Sequence, residues 1–341
     1  MLLRHFIAST LAVAAACAQA GMGATQVTPV AGEGPVTVFY PSAAPDAPVQ
    51  RGPFTVSLAA NGEPARGNGH LVVISHGSGG NPWVHTNLAR ALVDAGYVVA
   101  MPQHRGDNAQ DTSRPGPESW KLRPVEVSHA IDALANDRRF APLLSFDQVG
   151  MYGMSAGGHT ALSLAGGRWS PASLRDHCEK FIAEDFNSCV GTLLLLKGDL
   201  LDGVKQSVAL TVIRQRFDDA TPQSYTDRRI RAVVAGVPFA ADFDAQSLAK
   251  PAVPLGFVTA RRDIWLHPQF HSDRIVAACS SCEVIADLAD GGHASLLSPA
   301  PPVEVLGSVE RVLLADPPGF DRAKLAEVDR KIVGFFQRHL Q

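Results

Sequence analysis

The chain has 341 residues, of which 46% are hydrophobic and 18% are charged, and its formal net charge is −3. This balance is that of an ordinary globular protein and gives no sign of a nucleic-acid partner. One core with an insertion fits this length better than two separate domains.

The first twenty residues differ from the rest of the chain. Residues 1–5 carry a positive charge, residues 6–16 are apolar, and Ala18, Gln19 and Ala20 form a small-x-small cleavage site. The apolar run is too short to span a bilayer, so residues 1–20 are typical of a signal peptide. We therefore expect an exported protein, periplasmic or secreted, without a membrane span. Anchoring as a lipoprotein through Cys17 is the less favoured alternative.

The remaining cysteines, Cys178, Cys189, Cys279 and Cys282, form an even number, as expected in an oxidising compartment. We predict two disulfides between near neighbours, Cys178 with Cys189 and Cys279 with Cys282. The Cys-x-x-Cys spacing of the second pair also matches a redox site. A structural bridge is favoured because the pair follows a predicted helix, whereas thiolate activation favours a helix N-terminus. A zinc site is less favoured, since no second ligand pair lies nearby at metal spacing.

Residues 21–34 are rich in Gly, Thr and Pro without periodicity, and we expect them to form a loose arm. Two short β-rich runs follow at 36–40 and 54–58. Runs that are apolar on both faces then recur, which is typical of strands in a covered parallel sheet. These runs are 71–75, 97–101, 149–152, 232–235, 255–259 and 283–286.

Segments with helical spacing lie between these runs, at 86–95, 125–136, 159–165, 269–277 and 327–340. The alternation predicts a mostly parallel, doubly wound α/β sheet. The interval 168–229 is far longer than a typical crossover needs. We interpret it as a cap inserted over the strand ends, within a single domain that covers residues 35–341.

The run predicted as a strand at 149–152 leads directly into Gly153-Met-Ser-Ala-Gly157 and then into a helix. In a chain with 30 glycines, Gly-x-Ser-x-Gly alone is weak support. The strand–turn–helix setting is what makes it a candidate nucleophile elbow, with Ser155 as the nucleophile. A dinucleotide fingerprint needs glycine where Ser155 stands, and the Gly-Lys-Ser/Thr ending of a P-loop is absent, so both are excluded.

Two partners for Ser155 follow later strands, in the order expected for such an elbow. Asp263 comes just after the run 255–259, and His293 comes just after the run 283–286. Both therefore fall at the carboxyl edge of the sheet, where an open α/β sheet binds its ligands. An oxyanion hole needs two amide donors, which we assign to Ala156, after the nucleophile, and to Ser78 in the loop 76–80.

Five segments carry a resemblance to a known family, "SHGSGGN", "GYVVAMPQHRGDN", "GMSAGGHTAL", "TARRDIWLHP" and "ADGGHASLL". They resemble the α/β-hydrolase superfamily and, within it, the exported predicted dienelactone hydrolases related to platelet-activating-factor acetylhydrolases. The resemblance implies an α/β-hydrolase fold with Ser155 as nucleophile, Asp263 as orienting acid and His293 as general base. It also implies Ser78 and Ala156 as oxyanion donors.

The chain departs from these relatives at two points. The well-characterised dienelactone hydrolases use a cysteine nucleophile, whereas this chain has Ser155. In the acetylhydrolase branch the acid follows the preceding strand, which here indicates Asp242. Asp263 is favoured because, with Pro268, it fits the commoner pattern of the superfamily.

The predicted function is hydrolysis of small-molecule carboxylic esters or lactones by a serine hydrolase that needs no cofactor and no metal. A peptidase or amidase with the same triad is the first alternative. An exported binding protein without catalysis is the second, because fold alone implies no function. Of the other polar residues, His76 is expected to shape the oxyanion loop, and His159 to pack away from the elbow. Asp107 and its neighbours are expected either to line the pocket rim or to make loop hydrogen bonds.

Overall fold

The computed structural model describes residues 21–29, 32–191 and 193–341. The predicted leader, including Cys17, lies outside these residues. The strands in chain order are β1 (Gly21–Val27), β2 (Val36–Ser42), β3 (Ala47–Arg51), β4 (Phe54–Leu58), β5 (Leu71–Ser75), β6 (Val98–Pro102), β7 (Val149–Met154), β8 (Arg168–Trp169), β9 (Ile230–Gly236), β10 (Phe243–Asp244), β11 (Leu255–Ala260) and β12 (Glu283–Leu288).

Eight strands form the central sheet in the order β1-β2-β6-β5-β7-β9-β11-β12. The six strands from β6 to β12 in this order are parallel to their neighbours. Strand β2 runs antiparallel to β6, and β1 antiparallel to β2. The predicted mostly parallel sheet is confirmed, and each of the six predicted runs lies in or overlaps one of its parallel strands. The run at 54–58 instead pairs with β3 in a separate hairpin.

The helices are α1 (Thr86–Asp94), α2 (Pro117–Asn136), α3 (Ala156–Leu164), α4 (Pro171–Phe181), α5 (Phe186–Val190), α6 (Asp202–Arg216), α7 (Ser272–Ala278), α8 (Ser308–Leu313) and α9 (Leu325–His339). Helix α2 begins eight residues before the predicted start at residue 125. Pro124 lies inside it and interrupts the apolar spacing, while Pro117 occupies its first turn, where a missing N–H is tolerated. Among the helices that the structure describes, none is long and apolar enough to cross a membrane.

The sheet is covered on both faces, because its strand residues alternate between two apolar cores. Val73 of β5 packs in the core that also contains Val127 of α2 and Leu162 of α3. Its neighbour Val72 packs in the opposite core, which contains residues of α1 and α9 such as Phe336. Successive side chains of a strand point to opposite faces, so both faces of a covered strand must be apolar.

The predicted loose arm over 21–34 is wrong for its first half. Residues Gly21–Val27 form β1, whose residues pair in register with β2 from Gly21↔Ser42 to Val27↔Val36. Val27 is the one Val, Ile or aromatic residue in β1, so sequence alone did not indicate a strand. Gly23 is required here, since a Cβ at this position would lie 2.0 Å from the ring of Tyr40. The close fit of the backbone against this ring explains the glycine in the middle of the strand.

The interval predicted as a cap contains β8 and helices α4 to α6, between α3 and β9. Both predicted disulfides are present, Cys178–Cys189 joining α4 to α5 and Cys279–Cys282 joining the end of α7 to the start of β12. Such cross-links persist in an oxidising compartment, as expected of an exported protein. The signal peptide itself stays a prediction.

Helix α9 carries an acidic residue in an apolar setting, Asp329. Burial raises the pKa of its carboxyl from 3.8 to about 7. The folded chain therefore binds this proton more tightly than the unfolded chain does, and its free energy of unfolding should fall as the pH rises from about 4 to about 7. Asp329→Asn is expected to stabilise the protein by up to a few kcal/mol at pH 8 and very little at pH 4.

Thermal or urea unfolding at both pH values would measure this effect. Glu327→Gln provides the control on the same helix, because Glu327 is exposed and pairs with Lys331. An equal gain from Asp329→Asn at pH 4 and pH 8 would contradict the assignment of the stability loss to this ionisation.

Candidate active site

Ser155 lies on a sharp turn between β7 and α3, with φ 58° and ψ −118°. A residue with a side chain rarely adopts this positive φ, and it persists only where its surroundings hold it. Its N–H donates to the carbonyl of Gly236 at 3.0 Å, and its own carbonyl accepts from the N–H groups of His159 at 3.0 Å and Phe239 at 3.1 Å. Three backbone hydrogen bonds thus fix the strained turn.

The two glycines of the motif allow α3 to approach the sheet closely. A Cβ on Gly153 would lie 1.9 Å from the carbonyl oxygen of Gly157, and a Cβ on Gly157 would lie 1.9 Å from that of Ser75. A side chain on Gly153 would force α3 away from the end of β7, and one on Gly157 would force it away from the end of β5. The spacing Gly-x-Ser-x-Gly therefore has a steric cause in this fold.

The structure brings Ser155, His293 and Asp263 together in one hydrogen-bonded row. Nε2 of His293 lies 3.0 Å from Oγ of Ser155, and Nδ1 of the same ring lies 2.8 Å from Oδ2 of Asp263. The other carboxylate oxygen, Oδ1, accepts from the N–H groups of Trp265 and Leu266 at 2.8 Å each. In the ring tautomer that has its proton on Nδ1, Nδ1 donates to Asp263 and Nε2 accepts from the Ser155 hydroxyl.

The alternative acid, Asp242, lies elsewhere. Its Oδ2 is 3.0 Å from Nε2 of His159, and both side chains are fully buried. The His159 ring stacks on Trp120, with ring centroids 4.8 Å apart, and meets Trp169 edge-on at 4.7 Å. As predicted, His159 packs away from the elbow. The carboxylate that contacts His293 is Asp263.

Two backbone amides are available beside Ser155. Within the described residues, neither Ser78 N–H nor Ala156 N–H donates to a protein acceptor. Ala156 is the first residue of α3, where the helix dipole favours negative charge. The loop that carries Ser78 passes close by, since a Cβ on Gly77 would lie 3.3 Å from Cβ of Ser155. Both predicted donors thus lie in elements that border Ser155.

His76 shapes this loop. Its Nδ1 lies 2.7 Å from the carbonyl oxygen of Gly77, to which it donates. Burial, together with the neighbouring His104 and Arg123, lowers the pKa of His76 well below its ordinary value, so the ring is neutral at pH 7. A neutral donor on a loop carbonyl fits the predicted structural role.

Sequence reasoning missed Arg123, which contacts the same loop. Its guanidinium is fully buried, and Nη1 donates to the carbonyl of His76 at 2.6 Å. A signal was present, because Arg123 shares a helix face with the apolar Val127, Ile131 and Leu134, at spacings of four, eight and eleven residues. A charged residue on a buried helix face requires a partner.

The interval predicted as a cap contacts the loop that follows Asp263. Nδ2 of Asn187, in α5, donates to the carbonyl of Ile264 at 2.8 Å. Nε2 of His271, at the far end of that loop, lies 3.3 Å from Oδ2 of Asp185, which also accepts from His177 at 2.8 Å. Substrate selection by this segment stays a prediction.

No family model matches the chain, and no curated protein sequence does either. Among solved structures it is similar to a ferulic acid esterase from Streptomyces cinnamoneus, with a TM-score of 0.58 over 96% of this chain and 91% of that chain. The chain has the α/β-hydrolase fold. Because the two sequences are 18% identical, this likeness concerns the fold. Within the α/β-hydrolase fold, the narrower resemblance to predicted dienelactone hydrolases stays a prediction.

Proposed function

We propose that this chain is a serine hydrolase that cleaves carboxylic esters through an acyl-enzyme intermediate. The observation that carries the proposal is the hydrogen-bonded row from Ser155 through His293 to Asp263. Its position at the carboxyl edge of the sheet, beside two unpaired amides, adds further support.

In the first half of the reaction, Nε2 of His293 takes the Ser155 hydroxyl proton as Oγ attacks the ester carbonyl carbon. The carbonyl π electrons move onto oxygen, and the N–H groups of Ser78 and Ala156 stabilise the resulting oxyanion. Asp263 holds the imidazole in the required tautomer and stabilises its charged form. When the intermediate collapses, the alkoxide leaves and takes the proton from His293.

In the second half, water replaces the alcohol. His293 removes a proton from this water as it attacks the acyl carbon, and the same two amides stabilise the second oxyanion. Collapse breaks the bond to Oγ, returns the proton to Ser155 and releases the carboxylic acid. Apart from the substrate and this water, every group that acts in the proposed cycle belongs to this chain.

We favour an ester over an amide as substrate because one similar solved structure is that of a ferulic acid esterase. We propose a small-molecule ester or lactone as the substrate. Methyl ferulate is one candidate, because of the similarity to the ferulic acid esterase structure. Peptide or amide bonds use the same chemistry but need stronger protonation of the leaving group, so they form the comparison arm of the test.

The test uses the oxidised full-length protein after any leader has been removed. A fluorophosphonate probe should modify Ser155, as located by peptide mass spectrometry. A panel of p-nitrophenyl esters of increasing chain length, a lactone, methyl ferulate and matched p-nitroanilides should then show turnover of esters. Absence of both labelling and turnover would support the non-catalytic alternative, and faster turnover of anilides would support the amidase.

A further inference from the structure

A buried ion pair lies behind the loop that carries Ser78. Oδ1 of Asp107 accepts from Oγ of Ser78 at 2.5 Å and from the N–H of Gly79 at 3.0 Å. Oδ2 of Asp107 accepts from Nη2 of Arg123 at 2.8 Å, and both side chains are fully buried. One carboxylate therefore connects two consecutive loop residues to a guanidinium on α2.

Arg123 binds the preceding part of the same loop. Nη1 donates to the carbonyl of His76 at 2.6 Å, while Nη2 lies 3.4 Å from the carbonyl of Gly77. Nε is bonded to Oγ of Ser119, one helical turn earlier in α2. The planar guanidinium is thereby held by its own helix and in turn holds the loop backbone.

The start of the loop is fixed by a second buried network. Oγ of Ser75, the last residue of β5, lies 2.7 Å from Nε2 of His104, and Nδ1 of His104 lies 2.6 Å from Oε2 of Glu126 on α2. These groups form a serine–histidine–carboxylate row like that at Ser155, but all three are buried. Ser75 therefore positions the loop rather than meeting a substrate.

The folded protein favours the ionised form of the Asp107 carboxyl. Burial alone would raise the pKa of the Asp107 carboxyl, but Arg123, Ser78 and the N–H of Gly79 together bring that pKa below its ordinary value. A buried carboxylate that accepts three hydrogen bonds has a fixed orientation. Removing one partner leaves the other unpaired, so the loop depends on both.

We propose that Asp107 is a positioning residue for the oxyanion hole. It accepts from the Ser78 hydroxyl and the Gly79 amide, which leaves the Ser78 amide as the loop donor directed at the developing oxyanion. Arg123 sets the orientation of Asp107 and of the two carbonyls before Ser78. This role rests on the proposed ester hydrolysis.

The test compares Asp107→Asn with Asp227→Asn. Asp227 is a matched control because it also accepts from a guanidinium (Arg229), from a serine hydroxyl (Ser128) and from a backbone N–H. Asp227 lies shortly before the amino end of β9. The Ser155 N–H bonds to Gly236, the residue at the carboxyl end of the same strand. The control therefore makes the same chemical change near the amino ends of the strands, at the other end of β9 from Ser155.

We expect Asp107→Asn to lower kcat for a p-nitrophenyl ester roughly 10- to 100-fold and to leave KM within about threefold, because the donor acts mainly in the transition state. A trifluoromethyl ketone inhibitor is attacked at its carbonyl carbon by Ser155 Oγ and then carries an oxyanion. Its inhibition constant should rise by about the same factor as kcat falls. Asp227→Asn should keep kcat within about twofold of wild type, whatever its effect on melting temperature.

An active wild-type protein whose kcat is unaffected by Asp107→Asn, or affected no more than by Asp227→Asn, overturns the positioning role alone. A wild-type protein without ester hydrolysis overturns the proposed function and this role with it. If Asp107→Asn does not fold, Ser78→Ala tests the positioning role instead. This variant removes the hydroxyl that donates to Asp107 but keeps the backbone N–H of residue 78. A kcat loss of roughly 3- to 10-fold at constant KM is then expected, and wild-type kcat overturns the role.

Discussion

Ser155→Ala is expected to lower kcat for p-nitrophenyl acetate by about 10⁴-fold or more, because it removes the hydroxyl that we propose as the nucleophile. The fold should be unaffected, since alanine keeps Cβ and the three backbone hydrogen bonds of the turn. Steady-state kinetics on protein with a wild-type circular dichroism spectrum and melting temperature would measure the effect.

Ser163→Ala is the matched control on the same helix. Its hydroxyl donates to the carbonyl of His159 at 3.1 Å and takes no part in the proposed reaction. Turnover should stay near the wild-type rate in this variant. If Ser155→Ala retained most of the activity, Ser155 could not be the nucleophile.

Asp263→Asn is expected to lower kcat by about 10³- to 10⁴-fold. The amide cannot stabilise the imidazolium, and it favours the ring tautomer that has its proton on Nε2, where the Ser155 hydroxyl must donate. Because Oδ1 also accepts from Trp265 and Leu266, the loop after β11 should lose some stability as well. Stopped-flow or steady-state kinetics would measure the loss in kcat.

Asp242→Asn makes the same change at the other candidate acid. Asp242 is as buried as Asp263 and is also bonded to a histidine, at 3.0 Å, but that histidine is His159. We expect a lower melting temperature with kcat within a few-fold of wild type. The reverse pattern, a large kcat loss from Asp242→Asn and a small one from Asp263→Asn, would assign the acid to Asp242.

The parallel strands were predictable because most of them are apolar on both faces, and few other elements have that pattern. Strand β1 was not, since residues such as Gly23 owe their place to contact with Tyr40, which no local pattern encodes. The start of α2 was missed for a related reason. Pro124 marks a break in sequence, yet the helix passes through it because the surrounding core holds it in place.

At the site, strand ends predicted the positions of Ser155, Asp263 and His293, because parallel strands bring their carboxyl ends to one edge. Spacing could not choose between Asp242 and Asp263, as both follow a strand. The structure distinguishes the two by their partners, because the Asp263 side chain contacts His293 and the Asp242 side chain contacts His159. Arg123 was missed for the same reason, and the partners of the loop hydrogen bonds expected of Asp107 could not be assigned, since these contacts depend on how α2 packs beneath the loop 76–80.

The strained turn at Ser155 has a consequence for folding energetics. A non-glycine residue at φ 58° costs about 1–3 kcal/mol, so the rest of the domain must supply that free energy in every folded molecule. Glycine at this position would relieve the strain, but it would also remove the hydroxyl that we propose as the nucleophile. Selection for turnover and selection for a higher melting temperature therefore favour different residues at position 155.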